Sequence, residues 1–428
     1  MEASPPNRPR KPRRRWRWHV PPALVHGGES LEGVQVLDEV QGPLGLLLWE
    51  TYRDVALWAL VEPEERGGLF AADALPVRMA ALEAAGADAS LEPALRAAAE
   101  VLRDPSTAQE PEVTAACRKA AEWAEARGLL ATAVTLATGA ALASPADASA
   151  AFRVGQIARE RGENNRAETW FRRAVGLGRQ AKDWASYSEA FLGLGNLYKL
   201  RGNYPAARRF HIRGLRAARR HALRDIQARA LHDLFCIAVQ TGPPHEAQDL
   251  ATLAFRAYGP RHPRLPALSH DVAYFWMEQG RFAPALEVFR AVLPHITSSR
   301  ERLLVAANAG RAAAGIGDRA GYESAWETVW GASAEWERAP RAAQALLELA
   351  RGGATLREWS RAERAAEAAR DLGQRTGANQ VVIESEAVLD NARRKGAVQF
   401  GEPVALGESG MEAEDLAADL VRSLARVR

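Results

Sequence analysis

Two short stretches, LHDL and SHDV, each set a histidine beside an aspartate, at His232-Asp233 and His270-Asp271. Imidazole nitrogen and carboxylate oxygen are donors suited to zinc and related metals. Adjacent residues of a helix, however, point about 100° apart, so a neighbouring His-Asp pair does not converge on one ion. Repeat symmetry alone accounts for the motif's recurrence, and the sequence is read as carrying no metal and no cofactor. Residues 245–249, HEAQD, begin like a zinc-protease helix, but Asp249 stands where the second histidine is required. There is no GxxxxGK[ST] loop, no strand–GxGxxG–helix context, and GESG at 407–410 is not the GxSxG of a nucleophile elbow. Cys117 and Cys236 have no CxxC spacing and no evident base. The expectation is a non-enzymatic chain in a reducing, cytoplasmic interior.

The elements that carry these residues are helices. Of the 428 residues, 47% are hydrophobic and 25% charged, a composition that folds. Arginine outnumbers lysine 51 to 5 and alanine abounds, the bias of a GC-rich bacterial genome. The most apolar stretch, residues 43–61, carries Glu50, Arg53 and Asp54 in its middle. Each such charge costs about 2.5–3.5 kcal/mol at a bilayer centre, so this stretch reads as a buried helix and no membrane contact is expected. The N-terminus has no continuous apolar core of signal-peptide length.

Glycines recur after apolar runs at Gly128, Gly162, Gly202, Gly242, Gly280 and Gly317, at intervals of 34, 40, 40, 38 and 37 residues. Arg357 takes the same place 40 residues later. Five residues after these turns stand Ala133, Ala167, Ala207, Ala247, Ala285, Tyr322 and Ala362. Seven before stand Ala121, Gly155, Gly195, Phe235, Ala273, Gly310 and Ala350. Small residues at fixed offsets from a turn let antiparallel helices approach, and larger ones such as Phe171, Phe289 and Trp326 fill the gaps.

With Leu194-Gly195, Tyr198, Gly202, Tyr204 and Ala207, the segment FLGLGNLYKLRGNYPAARRF (191–210) resembles the tetratricopeptide repeat; 154–174 is nearly as good a copy. The resemblance covers roughly residues 113–376. It implies an all-α, right-handed α-solenoid of about seven helix-turn-helix units with extra helices at both ends. The expected division is an Arg/Pro-rich arm (1–28), an N-terminal helical region (29–104), the array (105–376), a capping helix (377–397), and a linker with an amphipathic C-terminal helix (398–428).

The resemblance also implies a concave face lined by the first helix of each unit. The places that face it hold Arg153, Gln156, Asn196, Lys199, Arg229, His232, His270, Tyr274, Asn308 and Arg311. Nearly all can hydrogen bond to a peptide backbone or carboxylate. The expected function is therefore a protein-interaction scaffold holding a peptide or protein segment in this groove.

A competing feature is charge. From Arg153 to Arg224 there are seventeen Lys/Arg against five Asp/Glu, in a chain whose net charge is only +3. Advancing about 100° per residue from Ala207 puts Arg208, Arg209, Arg213, Arg216 and Arg220 on an outer arc, with His211 and His221 on the packed side. This arc is a candidate anion-binding surface. The arm RPRKPRRRWRWHVPP (8–22) adds basic groups with Trp16 and Trp18 among them. The alternative reading is thus a nucleic-acid-associated regulator using residues 8–18 and the basic repeats.

Overall fold

A computed structural model describes residues 33–339, 341–396 and 413–427. The basic arm and the stretch 398–410 lie outside the described residues. The chain divides into two compact units, residues 1–203 and 204–428. Both are all-α and are built as α-solenoids, from paired helices joined by tight turns.

The first unit runs α1 (Gln35–Glu39), α2 (Gly42–Leu60), α3 (Ala74–Ala85), α4 (Glu92–Ala99), α5 (Glu110–Glu125), α6 (Leu130–Ala143), α7 (Ala148–Glu160), α8 (Asn164–Ala181) and α9 (Trp184–Leu200). Helices α5 and α6 form one hairpin and α7 and α8 the next. The apolar stretch at 43–61 is helix α2, which buries one face against α6 and leaves Leu46, Leu57 and Leu60 exposed, and its Trp58 indole donates to the Pro105 carbonyl at 2.8 Å. Glu39 caps α6, accepting from the amides of Ala131 and Thr132, both at 2.8 Å.

The second unit runs α10 (Tyr204–Arg220), α11 (Arg224–Thr241), α12 (Pro244–Tyr258), α13 (Leu265–Glu278), α14 (Phe282–Val292), α15 (Ser299–Gly315), α16 (Arg319–Gly331), α17 (Ala342–Thr355), α18 (Trp359–Thr376), α19 (Asn379–Arg393) and α20 (Ala413–Leu424). Helix pairs α11/α12, α13/α14, α15/α16 and α17/α18 are hairpins. Helix α20 buries Leu416, Leu420 and Leu424 against α12, α13 and α14. Among the described residues no helix is long and apolar enough to cross a membrane.

The turns explain the repeat. Gly128, Gly162, Gly202, Gly280 and Gly317 all adopt positive φ, and Arg357 holds the same left-handed place at φ 60°. Gly242 departs from the pattern: its φ is −109°, and Pro243 and Pro244 start the next helix. All seven residues five places after the turns are wholly buried. Close approach is literal at Gly155 and Gly193, where an added Cβ would lie 2.7 and 2.6 Å from the Phe171 ring.

Candidate functional site

Helices α11, α13, α15 and α17 are the first members of successive hairpins in the second unit, and α19 follows them. Their polar side chains meet across helices. His232 on α11 contacts Asp271 Oδ2 on α13 through Nε2 at 3.0 Å, and His270 contacts Asp271 Oδ1 through Nδ1 at 3.1 Å. Asn308 Nδ2 on α15 lies 3.2 Å from His270 Nε2. A consistent proton assignment follows. The two histidines donate to the carboxylate, and His270 accepts from the Asn308 amide. His232 Nδ1 then accepts from the Tyr258 hydroxyl at 3.5 Å. Burial alone would raise the Asp271 pKa, but the bonds from His232 and His270 outweigh it and hold the carboxyl well below its usual range.

A second chain of contacts follows. Glu348 on α17 is wholly buried and accepts from Arg311 at 2.6 Å, from Arg351 at 2.9 Å and from Gln344 at 2.6 Å. Arg311 also pairs with Glu278, and Arg351 with Glu384 on α19. Burial works against the Arg311 charge, yet Glu348 and Glu278 outweigh it and raise its pKa. Tyr274 is pushed up by burial and then by Glu348 and Glu278, so its hydroxyl stays protonated.

Beside the first chain, a cavity of about 490 Å³ opens between α13, α15 and Arg341 at the start of α17. Pro266, Ile296, Leu304 and Val305 supply apolar lining, while His270, Asp271, Glu301 and Arg341 supply charged or polar groups.

Several residues sit otherwise than the sequence suggests. Asn308, expected to face solvent, is wholly buried, and its amide supports His270. His232, His270 and Arg311 are engaged with Asp271, Glu278 and Glu348 and so are not open hydrogen-bonding groups. Arg229 pairs with Asp225 on its own helix at 3.4 Å. In the first unit Arg153 is bonded to Gln156 at 2.9 Å and paired with Glu125, while Asn196 and Lys199 are half-buried.

On α10 the arc holds: Arg209, Arg213, Arg216 and Arg220 are exposed, and His211 is wholly buried. Arg208 differs, being half-buried and paired with Glu246. The sequence reading missed Glu348 and the cavity. Its available signal was one acid inside the apolar run ALLELA (345–350).

The tetratricopeptide-repeat family model matches residues 146–220. No curated protein matches the sequence. Among solved structures, the apo form of RapI shares 14% identity over 66% of this chain and 98% of its own, with a TM-score of 0.45. A Rap protein complexed with competence and sporulation factor shares 11% over 82% and 98%, with a TM-score of 0.35. The TPR2AB domain of yeast Sti1 in its pHSP90 complex shares 13% over 66% and 99%, with a TM-score of 0.26. The turns at Gly162 and Gly202, with Ala167 and Ala207 wholly buried five places on, lie inside the matched segment, and residues 146–220 of this chain carry tetratricopeptide repeats.

Proposed function

We propose that this chain is a non-catalytic scaffold that binds an extended peptide or protein segment along α11, α13, α15 and α17. The cavity between α13 and α15 takes one anchoring side chain. The cavity itself is the observation that supports this reading most. A space of about 490 Å³ with an apolar wall and a charged rim suits one large apolar side chain flanked by polar backbone. The paired networks beside it keep the wall rigid, so little ordering entropy is lost on binding.

The reading is tested by selecting peptides from a displayed random library on the immobilised chain. Ala267 is exposed and lines the cavity. The variant Ala267→Trp fills the space without disturbing the core, and selected peptides should bind it at least tenfold more weakly. Unchanged binding to Ala267→Trp, with loss of binding to Arg213→Ser/Arg216→Ser/Arg220→Ser, moves the site to the outer face of α10.

A further inference from the structure

In sequence the His-Asp motifs read as adjacent pairs, but packing joins residues from two repeats into a different set. His232 and Cys236 stand four apart on α11, hence on one helical face. Asp271 of α13 projects against both. The donor atoms of His232, Cys236 and Asp271 all lie within 4.8 Å of one another. We propose that these three side chains hold one transition-metal ion of borderline softness, with Zn²⁺ the best fit.

Three observations support the assignment. The first is geometry. In tetrahedral zinc coordination, bonds of about 2.0–2.3 Å set neighbouring donors roughly 3.3–3.5 Å apart. Here His232 Nε2 is 3.0 Å and Cys236 Sγ 3.8 Å from Asp271 Oδ2, and the His232 and Cys236 donors lie within 4.8 Å of each other, so side-chain shifts of about an ångström complete three corners of a tetrahedron. Solvent supplies the fourth corner.

The second is the outer shell. A metal-bound imidazole needs a partner for its other nitrogen, and a ligating carboxylate needs one for its other oxygen. Tyr258 Oη lies 3.5 Å from His232 Nδ1, and the His270 Nδ1 proton is directed at Asp271 Oδ1 from 3.1 Å. His270 is fixed in turn by the buried Asn308.

The third is the sequence. Repeat symmetry explains why a His-Asp pair recurs 38 residues on, but Cys236 is replaced at that spacing by Tyr274. The thiol is peculiar to the repeat in which the three donors meet. Asp271 also lines the 490 Å³ cavity, so one of the three donor residues borders open space.

Charge and protons balance. The ion displaces the Cys236 thiol proton to solvent and leaves a thiolate. His232 binds through deprotonated Nε2, its proton moving to Nδ1, where it donates to the Tyr258 oxygen. Thiolate and Asp271 carboxylate together neutralise the dication, one proton is released, and a soft sulfur with an imidazole favours zinc over calcium or magnesium.

The test is a Co²⁺ titration of the full chain followed by absorption. The expected result is a thiolate-to-cobalt charge-transfer band in the near ultraviolet, saturating at one equivalent and erased by added Zn²⁺. Cys236→Ser should remove the band, and Tyr258→Phe should weaken binding about tenfold. Cys117→Ser should leave it intact, because Cys117 is buried and burial pushes its thiol up to about 12. Should Cys236→Ser fail to fold, wild-type protein decides the matter: Zn²⁺ must slow alkylation of Cys236 by iodoacetamide. A folded wild type with no charge-transfer band, a band that survives Cys236→Ser, or alkylation indifferent to Zn²⁺ overturns the proposal.

Discussion

The second unit presents charge in two opposite ways. On α10, Arg209, Arg213, Arg216, Arg219 and Arg220 are exposed and form no ion pair among the described residues. On α13, α15 and α17, Asp271 is bonded to His232 and His270, Arg311 and Arg351 are both paired with Glu348, and Glu348 is wholly buried. In sequence both regions read as polar residues on one helical face. The difference lies in the neighbour: a side chain opposed by another helix is desolvated and must be matched, whereas one facing water need not be. Charge density alone therefore does not distinguish a structural network from a surface available to a partner.

The largest effect is expected from Glu348→Ala. Arg311 and Arg351 each lose a buried partner, and removing one member of a buried network costs about 3–5 kcal/mol. Urea denaturation should show that loss; a change under 1 kcal/mol would mean the network behaves like a surface pair.

A smaller effect is expected from Ala207→Leu. Ala207 is wholly buried on α10, opposite its arginines. Overpacking there should cost roughly 1–3 kcal/mol, and an unchanged melting temperature would contradict the repeat register.

Asn308→Ala should cost a similar or slightly smaller amount, about 1–3 kcal/mol, because His270 Nε2 loses its buried donor. A ligand-facing asparagine would leave stability unchanged, so this variant separates supporting from binding roles.

The smallest effect belongs to Arg213→Ser, Arg216→Ser and Arg220→Ser, each within about 0.5 kcal/mol. Salt titration of the triple variant and wild type against single-stranded DNA should give weak binding in both. Tight wild-type binding that falls steeply with salt and is lost in the variant would favour the nucleic-acid reading.

The repeat was legible because its determinants are local. A turn residue at positive φ and a small residue five places on are fixed by helix geometry, and Ala133, Ala167 and Ala207 follow directly. Arg357 was found only through spacing, since its residue type gives no hint of φ 60°. Gly242 was misleading because a pair of prolines does the work of the turn.

The site was less legible because its partners lie far apart in sequence. His232 and Asp271 are 39 residues apart, His270 and Asn308 38, and Arg311 and Glu348 37. Each interval is about one repeat, so the period that reveals the fold also predicts which side chains stand together on successive first helices. The adjacent pair His270-Asp271 does meet, at 3.1 Å, but the contacts that complete the set, from His232 and Asn308, run across helices. Burial of Asn308 was hidden for a related reason, because the periodicity of one helix does not show how closely the next one covers it.

Hydrogen exchange on the chain with and without a library-selected peptide tests the proposed binding face most directly. Slowed exchange is expected in the first turns of α13 and α15 around the 490 Å³ cavity, with α10 unchanged. Protection of α10 with α13 and α15 unaffected would contradict it.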